Sequence, residues 1–228
     1  MKQIRKIPAL LLAVVMLFSV TLTGCKKEAP APANEVAVAL FNVMLKNDAS
    51  SLVELFGYAD EDEAREDMGL EGNLYDELAS QLAAQFTGSG MTVSEEEMQE
   101  FVNAFIAMFQ EVKMTAVVKE SDEKAGTAVV TCTVNTFDSA ALTQAMTNAM
   151  NNVDPDLLQS GNIDEAFGMI LQAAASAISE IKPTDKTADF DVDFELADMD
   201  VNGKTKKVWV PEDAGEFGNL ISATAMGG

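Results

Sequence analysis

The stretch EVKMTAVVKESDEKAGTAVVTCTVNTF, residues 111–137, contains the change of hydrophobic period that decides the fold class. In its first half the apolar residues fall on even positions: Val112, Met114, Ala116 and Val118. In its second half they alternate with threonines: Ala128, Val130, Cys132 and Val134. A period of two is typical of a β-strand with one buried face. Because the polar segment SDEKAG separates the halves, the stretch predicts an antiparallel hairpin.

A second stretch, DFDVDFEL at residues 189–196, has the same period. Its apolar side chains share one face (Phe190, Val192, Phe194, Leu196), and its acids share the other (Asp189, Asp191, Asp193, Glu195). Asn202-Gly203 is a strong signal for a hairpin turn, and KTKKVWVP follows as the return strand. The lysines of that strand are expected to offset the acids: Lys204, Lys206 and Lys207.

Helical periodicity precedes the first hairpin. Residues 34–56 predict two helices separated at Asn47-Asp48, and the acidic run around residues 60–67 predicts a solvated helix face. A further amphipathic helix is predicted over residues 73–86. Ser94 and Glu97 then form a capping box. The helix that they begin carries an apolar stripe expected in the core: Met98, Phe101, Val102, Phe105, Met108 and Phe109.

Helices return between the two hairpins, at residues 138–182. Starts are predicted at Asp138, at Asp154-Pro155 and at Asn162, which pairs with Glu165. Helices segregated from antiparallel hairpins indicate an α+β fold. We therefore expect several helices packed on one face of a curved antiparallel sheet of about four strands, with a helical insertion between the hairpins.

Two segments resemble a known group of proteins. VALFNVMLKNDASSLVELFGYADEDEA, residues 38–64, and NGKTKKVWV, residues 202–210, are similar to bacterial lipoproteins of uncharacterised families with a cystatin-like or nuclear-transport-factor-2-like architecture. The resemblance implies helices followed by a curved sheet. The helical block at 138–182 departs from the compact form of that fold. The fold hosts enzymes and binding modules alike, so the resemblance implies no particular activity.

The amino-terminal segment predicts export. MKQIRK carries three bases, and an uncharged apolar run follows from Ile7 to about Leu22. Leu22-Thr23-Gly24-Cys25 resembles the lipobox of bacterial lipoproteins, which implies cleavage between Gly24 and Cys25 and a diacylglyceryl (palmitate-type) lipid on the Cys25 thiol. The alternative is an uncleaved membrane helix in which Cys25 is incidental.

The sequence therefore predicts three segments: a signal peptide over residues 1–24, an Ala/Pro tether over 25–33 and a single α+β domain over 34–228. The expected location is the extracytoplasmic side of the cell membrane, held by the lipid on Cys25. If Cys25 carries lipid, Cys132 has no disulfide partner and is expected to be a buried thiol; a reactive thiol is the alternative.

Composition excludes several function classes. The formal net charge is −22, and removing residues 1–24 with their three bases leaves −25, which disfavours binding to nucleic acid. The chain contains no histidine, which excludes Ser-His-Asp and Cys-His catalysis and histidine-ligated zinc. No cofactor is expected.

One segment has the ligand spacing of a metal site. DMDVNG matches the first half of a calcium loop through Asp198, Asp200, Asn202 and Gly203. Its twelfth position is Trp209, which offers no oxygen, and predicted strands flank it. We therefore expect a hairpin turn and no metal.

Catalysis would need a buried carboxylate, with Tyr58 or Tyr75 as its partner. No acid lies on a predicted apolar strand face. The sequence therefore favours a non-catalytic binding or scaffold module at the cell surface, with a small ligand or a surface protein as partner. Two alternatives remain open: a small-molecule enzyme or ligand-binding lipoprotein with a cone-shaped pocket, and a transporter-associated binding lipoprotein.

Overall fold

The computed structural model describes residues 29–67, 80, 83–84, 93–151 and 163–227. The helices in these ranges are α1 Ala33–Lys46, α2 Ser50–Phe56, α3 Glu61–Asp67, α4 Glu95–Gln110, α5 Ser139–Asn151, α6 Ile163–Ser179 and α7 Ala214–Ala225. The strands are β1 Met114–Asp122, β2 Thr127–Asn135, β3 Thr187–Val201 and β4 Lys204–Pro211. No helix within these ranges is long and apolar enough to cross a bilayer.

The four strands form one curved antiparallel sheet in the order β1-β2-β3-β4. The predicted α+β class, both hairpins and the helical insertion between them are confirmed. Asn202 and Gly203 have φ angles of 55° and 70°. Two consecutive positive φ angles are characteristic of the tight hairpin turn that an Asn-Gly pair favours.

The sheet has one covered face and one open face. On the covered face, called the inner face here, Val130, Cys132 and Val192 are buried, as the alternation predicted. Helix α1 packs on β1, β2 and β4, and α7 packs on β2, β3 and β4. The side chains that alternate with the buried ones are exposed or half-buried, so the helices lie on one face only.

Helix α7 is an element that the sequence reading did not predict. Asp213 begins it, because its carboxylate accepts the backbone N–H of Glu216 at 2.9 Å. Phe217 is buried in the core, with ring centroids 6.4 Å from Phe190 and 6.3 Å from Phe194. The signal was present as an Asp-x-x-Glu cap before an apolar residue.

The capping box of α4 is confirmed: Ser94 accepts the N–H of Glu97, and the Glu97 carboxylate accepts the N–H of Ser94. The predicted stripe is only partly buried, since Phe105 is 37% exposed. Six residues make a stripe wider than the surface that α6 and α1 cover. Phe105 therefore lies on the flank, packed between the rings of Phe101 and Phe109.

The predicted burial of Val118 is wrong. Its side chain is 41% exposed, because β1 is an edge strand and its register with β2 shifts between Val118 and Glu120. Such a β-bulge changes which face the following residues occupy. The strand also continues to Asp122, two residues into the segment predicted as a turn.

Several predictions lie outside the described residues. These are the signal peptide and lipobox with Gly24 and Cys25, most of the helix at 73–86 including Tyr75, and the starts at Asp154-Pro155 and Asn162. The described end of the tether, at Ala31 and Pro32, leads directly into α1.

Candidate functional site

The open face of β1, β2 and β3 is the candidate site. We call it the acidic face. It consists of the side chains opposite the buried ones, together with the β1 residues paired to them: Thr115, Val117, Lys119, Glu120, Asp122, Thr127, Val129, Thr131, Thr133, Asp189, Asp191, Asp193 and Glu195. The acids of β3 come from strict alternation, which turns every second residue of that strand to solvent.

Asp191 lies at the centre of the acidic face. The Lys119 ammonium is 2.5 Å from one of its carboxylate oxygens, and the Thr131 hydroxyl donates to the other at 2.6 Å. The hydrogen bond from Lys119, and then that from Thr131, lowers the pKa of the Asp191 carboxyl. The same contact raises the pKa of Lys119. One acid of this face is therefore already paired within the chain.

The predicted pairing of the β4 lysines with the acids at 189–195 is wrong. β4 is hydrogen-bonded only to residues 194–201 of β3, so its lysines lie beyond those acids. Lys207 pairs instead with Asp198 at 2.9 Å. Lys206 donates to the Phe56 carbonyl at 2.7 Å. This carbonyl lies at the carboxyl end of helix α2, where the helix dipole favours a cation. Asp189 and Asp193 therefore stand opposite β2, away from the β4 lysines.

The bulge adds carboxylates to one end of the acidic face. It pairs Glu120 with Val129, and Val129 pairs in turn with Asp193. The Glu212 N–H donates to the Asp193 carbonyl at 3.0 Å, which extends the row by one residue. Adjacent strands lie about 4.8 Å apart, so Glu120 and Asp193 are about 10 Å apart across the sheet. This spacing suits several separate cationic groups better than one chelated ion.

A shallow groove of about 280 Å³ runs along this row. Its lining includes four acids, Glu120, Asp122, Asp193 and Glu212, around the half-buried Val129. The lining residues are Glu120, Ser121, Asp122, Thr127, Ala128, Val129, Asp193, Phe194 and Glu212. Acids around the half-buried Val129 fit a side chain with an apolar stem and a charged end, such as lysine.

The calcium-like segment has a structural role at the tip of the second hairpin. The Asn202 side chain donates to the Gly57 carbonyl at 2.8 Å, which fixes the tip to the end of α2. Asp198 is paired with Lys207, and Trp209 is buried. Within the described ranges, no group of three or more cysteine and acidic side chains is placed to hold a metal ion.

Tyr58 lies away from the acidic face, beside Phe56, with ring centroids 6.2 Å apart. Its hydroxyl is buried and has no hydrogen-bond partner in the part of the chain that the structure describes. Burial, followed by the charges of Asp67 and Glu63, raises the pKa of this phenol. Tyr58 therefore stays protonated at neutral pH.

Cys132 lies under the acidic face, on the buried side of β2, as predicted. Burial, and then the charge of Asp191, raises the pKa of its thiol to about 12. The thiolate is the reactive form, so the native protein presents almost none of it at neutral pH.

We expect Cys132 to resist thiol reagents in the native protein. At pH 8 the native full chain should react with a thiol reagent at least a hundredfold more slowly than the urea-unfolded chain does, since reaction requires both exposure and ionisation. Mass spectrometry of the peptide containing Cys132 measures this. Equal rates in the two states would show that the inner face is accessible.

Comparison with known proteins gives one informative similarity. No protein-family model and no curated protein matches the chain. Among solved structures, it is similar to the crystal structure of YcdA from Bacillus subtilis, a protein provisionally assigned as a lipoprotein. The TM-score is 0.53 at 14% sequence identity, over 85% of this chain. The chain spans 56% of the length of YcdA, and the likeness at this identity concerns the fold.

Part of the site could be predicted from the sequence. The predicted solvent face of Asp189, Asp191, Asp193 and Glu195 is confirmed. The prediction missed Glu120 and Glu212, and it assigned the pairing to the wrong lysines. The alternation on β2 and β3 does not show which strands are neighbours, and only the strand order and register show that Lys119 reaches Asp191.

Proposed function

We propose that this protein is a non-catalytic binding module, held at the extracytoplasmic side of the membrane by lipid on Cys25, whose acidic face binds a positively charged surface of a partner protein or peptide. One observation carries the proposal: helices cover the inner face of the sheet, while the face left open presents acids from β1 and β3, with the threonines of β2 between them. Opposite charge on a partner would steer association and fix its orientation.

The membrane anchor rests on two supports. The lipobox-like Leu22-Thr23-Gly24-Cys25 follows a basic and then an apolar segment, and the structurally similar YcdA is provisionally assigned as a lipoprotein. Two acyl chains anchor a protein stably, whereas one chain does so only marginally. The short Ala/Pro tether would then hold the sheet near the membrane.

Binding is tested with a lysine-rich peptide and a glutamate-rich peptide of equal length, titrated into the detergent-solubilised full chain. The lysine-rich peptide should bind at low salt and weaken as salt rises, because the screening length falls from about 10 Å at 0.1 M to about 3 Å at 1 M. The glutamate-rich peptide should not bind. If neither peptide bound, the open face would be only a solvated surface and the proposal would be wrong.

Lipid attachment is tested by Cys25→Ser, with Cys132→Ala as the matched control for the other cysteine. In cells fed a clickable fatty acid, the natural chain and Cys132→Ala should be labelled. Cys25→Ser should lose essentially all label and leave the membrane fraction, since no second attachment thiol is accessible. Undiminished labelling of Cys25→Ser would contradict the anchor.

A further inference from the structure

The free edge of β1 offers backbone hydrogen-bonding groups. The Asn135 N–H donates to the Lys113 carbonyl. The backbone N–H and C=O groups of odd-numbered residues in β1 therefore point toward β2. The Asn34 side chain donates to the Ala116 carbonyl at 3.4 Å, so the even-numbered residues point away from β2. By this alternation, the N–H and C=O groups of Met114, Ala116 and Val118 face outward, beyond the sheet, and of these the Ala116 carbonyl already accepts from Asn34.

Apolar side chains flank this edge on both faces. Val117 is 48% exposed on the acidic face, and Val118 is 41% exposed on the inner face. The bulge after Val118 and the charge of Lys119 limit the pairing edge to Met114–Val118, since bulges and lysines discourage indefinite strand addition. What remains is a defined segment of five residues.

The opposite edge of the sheet is different. In β4, Lys206 donates to the end of α2, and the neighbouring turn residue Asn202 does the same at Gly57. Side chains at the β4 edge therefore make hydrogen bonds within the chain. The β1 edge is continuous with the acidic face through Glu120 and Asp122.

We infer that β1 receives an added strand from the partner: an extended segment with alternating basic and apolar residues that pairs with Met114–Val118. Its basic side chains would lie over the acidic face, and its apolar side chains would pack beside Val118. Charge selects this occupant over a second copy of the chain, because two copies joined at β1 would each carry a net charge of −22 and would repel each other.

This inference rests on the proposed function and adds its recognition mode. In strand addition, main-chain hydrogen bonds supply affinity and alternate side chains supply specificity. A partner held by charge alone would need neither a free backbone edge nor an extended conformation. The two modes therefore differ in their dependence on peptide N–H groups.

The test uses an alternating Lys-Val peptide and the same sequence N-methylated on every residue, which keeps the charges and removes the backbone donors. Both are titrated into the detergent-solubilised full chain. The plain peptide should bind at least tenfold more tightly. Equal binding of both would overturn strand addition while leaving the acidic face as a binding surface, whereas binding of neither would overturn both.

A variant of the protein gives an independent readout. Val118→Pro removes an outward N–H without removing a bond to β2, and proline is tolerated on edge strands in this orientation. The variant should bind the plain peptide about tenfold more weakly than the natural chain does, and its affinity for the N-methylated peptide should be unchanged. Unchanged affinity for the plain peptide would count against pairing at Val118. If the variant failed to fold, the two peptides on the natural chain would still decide.

Discussion

Replacing Phe217 with alanine is expected to lower the free energy of unfolding by about 3–5 kcal/mol, the usual cost of truncating a buried phenylalanine. The side chain is 1% exposed and contacts the rings of Phe190 and Phe194, so its removal leaves a cavity between α7 and the sheet. Urea unfolding of the full chain, followed by circular dichroism, measures the change.

Asn219→Ala is the matched control, because Asn219 is exposed on the same helix. It should change the free energy of unfolding by less than about 0.5 kcal/mol, and alanine's higher helix propensity favours a slight gain. If Phe217→Ala cost no more than Asn219→Ala, α7 would not be packed on the sheet as described.

Removing three charges from the acidic face is expected to weaken binding of the lysine-rich peptide about tenfold, since each exposed ion pair contributes modestly. The variant is Asp189→Asn/Asp193→Asn/Glu195→Gln, which keeps side-chain size and leaves the Lys119–Asp191 pair in place. Calorimetric titration at low salt gives the affinities.

A second triple variant separates the effect of the acidic face on affinity from the effect of net charge. Glu54→Gln/Glu66→Gln/Glu100→Gln removes the same three charges from exposed positions on α2, α3 and α4. It should change the affinity less than twofold. Equal losses in the two triple variants would mean that overall charge, and no particular face, attracts the peptide.

The sheet could be predicted from the sequence because its period is unambiguous. Strict alternation at Ala128–Val134 and at Phe190–Phe194 allows only one register for burying apolar side chains, since a slip by one residue would expose them all. The Asn-Gly turn fixed the second hairpin in the same way.

The edge strand and the pairing of charges could not be predicted. Which strand lies at the edge depends on how four strands are ordered in space, and the bulge after Val118 leaves no mark in the hydrophobic pattern. Lys119 and Asp191 are 72 residues apart, and they meet only because β2 separates β1 from β3. Local patterns contain no information about such distant partners.

The most direct test of the proposed binding surface is amide NMR of the isotope-labelled, detergent-solubilised full chain during titration with the lysine-rich peptide. We expect the largest shift changes in β1 and at residues 127–133 and 189–195. The acidic helix α3, Glu61–Asp67, serves as an internal reference, because it carries exposed acids on another part of the protein. Changes concentrated in α3, or spread equally over all acidic segments, would contradict the acidic face as the binding site.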